Sequence, residues 1–127
     1  MLLIDLFGFS EIVVKCTSGE EMYEVANKAK KELNATNHSA TISSVIRHMY
    51  TRESIWQNSD YKWITIKDYS ADGIHMFGTT ASEAKASETK LYLSDQIISA
   101  EEYFNTFSPQ PTMDEQEFSD LFQELVS

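Results

Sequence analysis

The chain has 127 residues with one cysteine, two prolines, four glycines, and no lysine or arginine from Glu101 to Ser127. A lone thiol excludes an intrachain disulfide framework, and the setting of Cys16 in the apolar run "EIVVKC" predicts a small buried side chain. That pattern favours a reducing compartment. Glycines at 8, 19, 73 and 78 are too scattered for a GxGxxG turn or a P-loop, and "GTTAS" after Gly78 reads as a strand leaving into a loop. No apolar run approaches the roughly 18 residues of a membrane span. The opening "MLLIDLFGF" carries Asp5, has no basic lead, and reads as a strand rather than a targeting segment. A cytoplasmic protein without a membrane partner is the expectation.

Catalytic signatures are equally sparse. Histidines 38, 48 and 75 form no HxH or HExxH spacing with each other or with Cys16, so no metal site is expected. No GxSxG elbow supplies an activated serine. The acid pairs Asp68 with Asp72 and Glu83 with Glu88 have small polar neighbours, which predicts solvated carboxylates rather than a tuned acid and base. We therefore expect neither an enzyme nor a cofactor.

What the chain does have is charge, unevenly placed. The formal net charge is -10, and the seven acids from Glu101 onward leave only -3 for the first hundred residues. Between Lys28 and Arg52 the sign reverses, with Lys28, Lys30, Lys31, Arg47 and Arg52. A net-negative protein disfavours broad adhesion to nucleic acid or anionic membrane but leaves room for one local basic face.

Periodicity predicts an α+β fold: a small antiparallel sheet packed with two to four amphipathic helices, followed by an acidic C-terminal helix. Leu2 to Phe7 and Glu11 to Cys16 read as two strands joined through Gly8. "TSGEEMYEVANKAKKEL" reads as a helix capped by Thr17 or Ser18, with Met22, Val25, Ala26, Ala29 and Leu33 inward. "NATNH" breaks it, and "SATISSVIRHMY" reads as a second helix with Ile42, Val45, Ile46 and Met49 inward. Ile55 and Trp56 follow as anchors. "YKWITIK", the "SADG" turn and "IHMFGTT" read as an antiparallel pair, and "LYL" as a further strand. Ser99 is placed to cap a helix bearing Tyr103, Phe104 and Phe107, with Glu102 completing a capping box. Residues 1–108 are expected to form one domain. Pro109 and Pro111 then set apart residues 109–127, a short linker and the acidic helix.

Two binding readings follow. In the first, Phe118, Leu121, Phe122 and Leu125 recur at helical spacing and anchor the C-terminal helix on a partner, while Glu115, Glu117, Asp120 and Glu124 set its orientation. Such a surface suits a protein with a basic groove, and it imitates nucleic acid if its carboxylates are spaced like phosphates. Small acidic proteins of this kind are associated with mobile elements as accessory inhibitors or regulators. A homodimer is the simplest assembly that covers the apolar stripe. In the alternative, "ANKAKKELNATNHSATISSVIRHMY" resembles the helix-turn-helix family of DNA-binding modules. That resemblance implies that Thr41, Ser44, Arg47 and His48 face the groove and that Lys30, Lys31 and Arg52 contact phosphates. The acidic helix would then mediate assembly.

Overall fold

The computed structural model describes residues 2–84 and 96–107 together with Asp120 and Gln123. The first segment departs from the sequence expectation. Leu3–Phe7 is a helix, α1, closed by Gly8 at φ 79°, whose N–H donates to Ile4 O at 3.0 Å. Glycine adopts this left-handed cap without the Cβ clash that other residues meet. Leu3 is fully buried, and Phe7 stacks on Tyr103 at 6.0 Å and meets Phe107 edge-on at 5.6 Å.

Strand β1 (Glu11–Lys15) follows, then α2 (Gly19–Leu33). Ser18 caps α2 by accepting from the N–H of Glu21, and the Glu21 carboxylate accepts from the N–H of Thr17 in return. Two otherwise orphaned donors are satisfied by this exchange. The predicted stripe of Met22, Val25, Ala26, Ala29 and Leu33 is buried. Asn34 ends the helix at φ 53°, and the break beyond it holds a two-residue strand, β2 (Thr36–Asn37). Ser39 caps α3 (Ala40–Arg47), which buries Ile42 and Val45. The chain turns at His48 before α4 (Arg52–Gln57). Met49, expected inward, is 62% exposed because α3 has already ended.

Strands β3 (Tyr61–Asp68) and β4 (Ile74–Thr80) form the predicted hairpin, linked by a 3-10 turn over Ser70–Asp72 and Gly73 at φ 83°. Residues 81–84 are helical. Strand β5 (Ile97–Ser99) leads into α5 (Ala100–Phe107), where Ser99 Oγ accepts from the N–H of Glu102 as predicted. The expected strand at "LYL" lies outside the described residues.

The sheet order is β2-β4-β3-β1-β5. β1–β3 and β3–β4 pair antiparallel, whereas β5 joins β1 and β2 joins β4 in parallel. The sheet is therefore mixed, which corrects the antiparallel expectation. Both parallel pairs involve short edge strands recruited from distant parts of the chain, a pairing that local periodicity does not encode. Strand alternation sends Ile12, Val14, Ile64, Ile66 and Met76 into one cluster with α2, α3, α5 and Leu3. Each such side chain contributes about 1.5–3 kcal/mol on burial. Tyr103 completes this core, its hydroxyl donating to Val25 O at 2.8 Å. The intervening residues, Lys15, Trp63, Thr65 and Phe77, project to the opposite face.

Candidate functional site

One end of the sheet carries a concavity formed by described residues. Where β1 ends, β3 begins and β4 ends, a groove of about 640 Å³ is lined by Lys15, Thr17, Trp56, Lys62, Trp63 and Thr80, with Cys16, Asp60, Ala81 and Ser82 beside them. Both tryptophans of the chain are in it. Lys62 Nζ lies 3.8 Å from the centre of the Trp56 ring and donates to Trp56 O at 2.9 Å. Lys15 Nζ lies 5.6 Å from the Trp63 ring. Each ammonium is thus held against an indole face by the ring quadrupole. Among the described residues no carboxylate forms an ion pair with either lysine. The indole N–H of Trp56 is buried and has no hydrogen-bond partner among the described residues.

Cys16 forms part of the groove wall as a buried thiol. It is 3% exposed, and burial, aided by the charge of Glu21, pushes its thiol well above the ordinary range. The reactive thiolate is therefore disfavoured.

A second cluster lies at the β2–β4 edge. His38 Nε2 and His75 Nδ1 are 2.6 Å apart, and His75 Nε2 donates to Asp72 O at 2.8 Å. The carbonyl only accepts, so a neutral His75 presents Nδ1 as an acceptor and His38 donates to it. Phe77 stacks on His38 at 5.2 Å and Tyr69 meets His75 edge-on at 5.1 Å. These imidazoles are 37 residues apart, and only the parallel β2–β4 pairing reveals their contact. Among the described residues no group of three or more His, Cys, Asp or Glu is arranged for a metal ion.

The predicted nucleic-acid residues divide. Lys30 and Lys31 at the end of α2, and Arg47 and His48 at the end of α3, are exposed. Thr41 and Ser44 are half-buried, and Thr41 Oγ1 is hydrogen-bonded to Ser59 Oγ at 3.2 Å. Arg52, expected at a phosphate, is buried: its Nη1 meets Glu20 Oε2 at 2.6 Å, its Nε donates to Val45 O at 2.6 Å, and its guanidinium sits 3.8 Å from the Tyr23 ring centre. That side chain is a structural clamp between α2, α3 and α4. The α2–α3 break contains a sheet strand, so it is not a simple turn between two helices.

Of the predicted partner-binding set, Asp120 is helical and exposed. Glu115, Glu117, Phe118, Leu121, Phe122, Glu124 and Leu125 lie outside the described residues. The Lys–Trp groove was missed in sequence because its four key residues come from three elements. Its one local signal was the alternation of "KWITIK", which puts Trp63 opposite Ile64 and Ile66. No protein family matches this chain, and neither does any curated protein or solved structure.

Proposed function

We propose that this protein is a non-enzymatic regulator that acts by binding another protein through its acidic, aromatic C-terminal segment. The carrying observation is one of composition: Met113–Val126 combines Phe118, Leu121, Phe122 and Leu125 with five acids and no base. Burying these four side chains against a partner would recover about 25 cal/mol per Å² of apolar area. Carboxylates around them would select a basic partner and exclude acidic ones. The described residues support this reading from the other side. The described residues from Leu3 to Phe107 already assemble a buried core from α1 to α5, and the titratable groups lining the groove among them are two lysines, an aspartate and a buried thiol. Occlusion of a basic site, whether on a nucleic-acid-binding protein or elsewhere, is the corresponding mechanism.

The test is crosslinking capture with the full chain and with a form carrying Glu115→Lys, Glu117→Lys, Asp120→Lys and Glu124→Lys. A stoichiometric partner retained by the native chain and lost from the variant supports the function. Equal capture by both refutes it.

A DNA-binding reading rests on the exposure of Lys30, Lys31, Arg47 and His48 on two packed helices. It requires duplex affinity that falls steeply with salt and falls again on Lys31→Ala and Arg47→Ala substitution.

A further inference from the structure

The groove at the end of the sheet has the chemistry to receive the segment that the chain offers to partners. Its walls are two indoles, its charges include two ammonium groups with no ion-pair partner among the described residues, and its volume of about 640 Å³ accommodates large side chains. The segment Met113–Val126 supplies the complementary set: two phenylalanines, two leucines, five carboxylates, and no lysine or arginine of its own. We infer that the Lys15–Lys62–Trp56–Trp63 groove of one copy binds the acidic segment of a second copy, so that two chains exchange segments and close as a dimer. This inference rests on the same acidic segment as the proposed function, but on a different receptor.

One observation favours an acidic, aromatic occupant and two favour its coming from a second copy. The lysines are positioned on the indole faces, so a carboxylate that meets them is held beside an apolar surface for the adjoining phenylalanine. α5 begins beside Ser99, which is paired with Lys15, and runs back to Phe107 against Phe7, which precedes β1. The chain thus leaves α5 at the end of β1 remote from the groove and would have to double back along the sheet to fill its own site. Groove and segment are also complementary rather than alike, so reciprocal exchange between two chains satisfies both at once with two-fold symmetry and leaves no open end for a filament. Self-association of this kind would sequester the segment and compete with a foreign partner for it.

A charge-swap experiment tests this. One variant carries Lys15→Glu and Lys62→Glu; the other carries Glu115→Lys, Glu117→Lys, Asp120→Lys and Glu124→Lys. Each then has groove and segment of like charge. Light scattering after size exclusion is expected to give the native chain twice the monomer mass of 14.5 kDa, each variant alone the monomer mass, and their equimolar mixture the doubled mass again. Circular dichroism establishes that each variant is folded. Because Lys62 also donates to Trp56 O, Lys15→Glu alone serves as a second variant, expected to weaken dimerisation at least tenfold. A monomeric native chain, a dimer that survives in either swapped variant, or a mixture that stays monomeric overturns the inference. Foreign capture is distinguished from this exchange because it depends on the four acids and is retained, or strengthened by release of the segment, in the chain carrying Lys15→Glu and Lys62→Glu.

Discussion

Replacing Arg52 by alanine is expected to be among the most damaging single changes in the described fold. The Arg52 side chain is 6% exposed, and its guanidinium has three partners: Glu20, Val45 O and the Tyr23 ring. Val45 lies in the last turn of α3, where carbonyls lack helical donors, so Arg52 Nε serves as its side-chain cap. Losing a charged hydrogen bond to a buried carbonyl costs about 1.5–3 kcal/mol. Losing the cation–π contact costs about 0.5–2 kcal/mol more. The Glu20 pair adds little, because that carboxylate is 57% exposed and solvent screens it. A total near 3 kcal/mol is expected for Arg52→Ala, and below about 1 kcal/mol for Glu20→Gln. Urea unfolding followed by circular dichroism reads the difference, as a midpoint shift on the order of 2 M for the first and a few tenths molar for the second. If Arg52→Ala falls within about 0.5 kcal/mol of the native chain, or Glu20→Gln costs as much as Arg52→Ala, the clamp is not what holds these helices.

Gly19→Ala should destabilise by about 1–3 kcal/mol although alanine suits a helix start, because the new Cβ would lie 2.6 Å from Arg52 O; a stabilised variant in thermal unfolding would contradict this. Gly78→Ala places its Cβ 2.6 Å from Ser39 Oγ, and displacing that cap should cost about 0.5–2 kcal/mol. Combining it with Ser39→Ala should cost less than the sum, whereas full additivity in the double-mutant cycle would show that the cap is not involved. Burial raises the proton affinity of both the Cys16 thiol and the Tyr103 hydroxyl, the former aided by the charge of Glu21 and the latter by that of Glu32. Each group stays protonated when folded while the unfolded chain loses its proton, so stability is full below the ordinary values of 9.0 and 10.0 and declines above them. The expected slope is about 1.4 kcal/mol per pH unit for each group. Urea titrations from pH 8 to 11 should show Tyr103→Phe removing the upper step, and an unchanged profile would refute the assignment.

The parts of the fold legible in sequence are those specified by neighbours. α2 announces itself through Ser18, Glu21 and a stripe at helical spacing, and the β3–β4 hairpin through alternation on either side of "SADG". Ser99 and Glu102 likewise mark the start of α5. α1 was misread because "LLIDLF" is short and apolar, and a run of that length fits a strand or a helix equally well. Gly8 does not decide between them in sequence, because glycine suits a helix cap as well as a strand turn. β2 and β5 have too few residues for any period to show, and their parallel partners lie far along the chain. The site was harder still. Arg52 has the composition of a phosphate ligand, and its burial depends on Gly19, whose missing Cβ lets α2 meet the Arg52 backbone. Nothing local in the sequence marks Lys15 or Lys62, because one meets Trp63 across the β1–β3 pair and the other meets Trp56 of α4.

The proposed exchange makes the acidic, aromatic segment a recognition element and the Lys–Trp groove its receptor. Trp56 and Trp63, the only tryptophans of the chain, both line the groove, and the segment contains none, so tryptophan emission reports its arrival directly. The decisive measurement is a titration of the chain bearing Glu115→Lys, Glu117→Lys, Asp120→Lys and Glu124→Lys with a synthetic peptide of residues 113–126. A saturable emission change that weakens with added salt, and that disappears when Lys15→Glu and Lys62→Glu are added, is the predicted result. Emission that stays constant up to millimolar peptide would contradict binding of the segment in the groove, and would leave capture of a foreign partner to the crosslinking test.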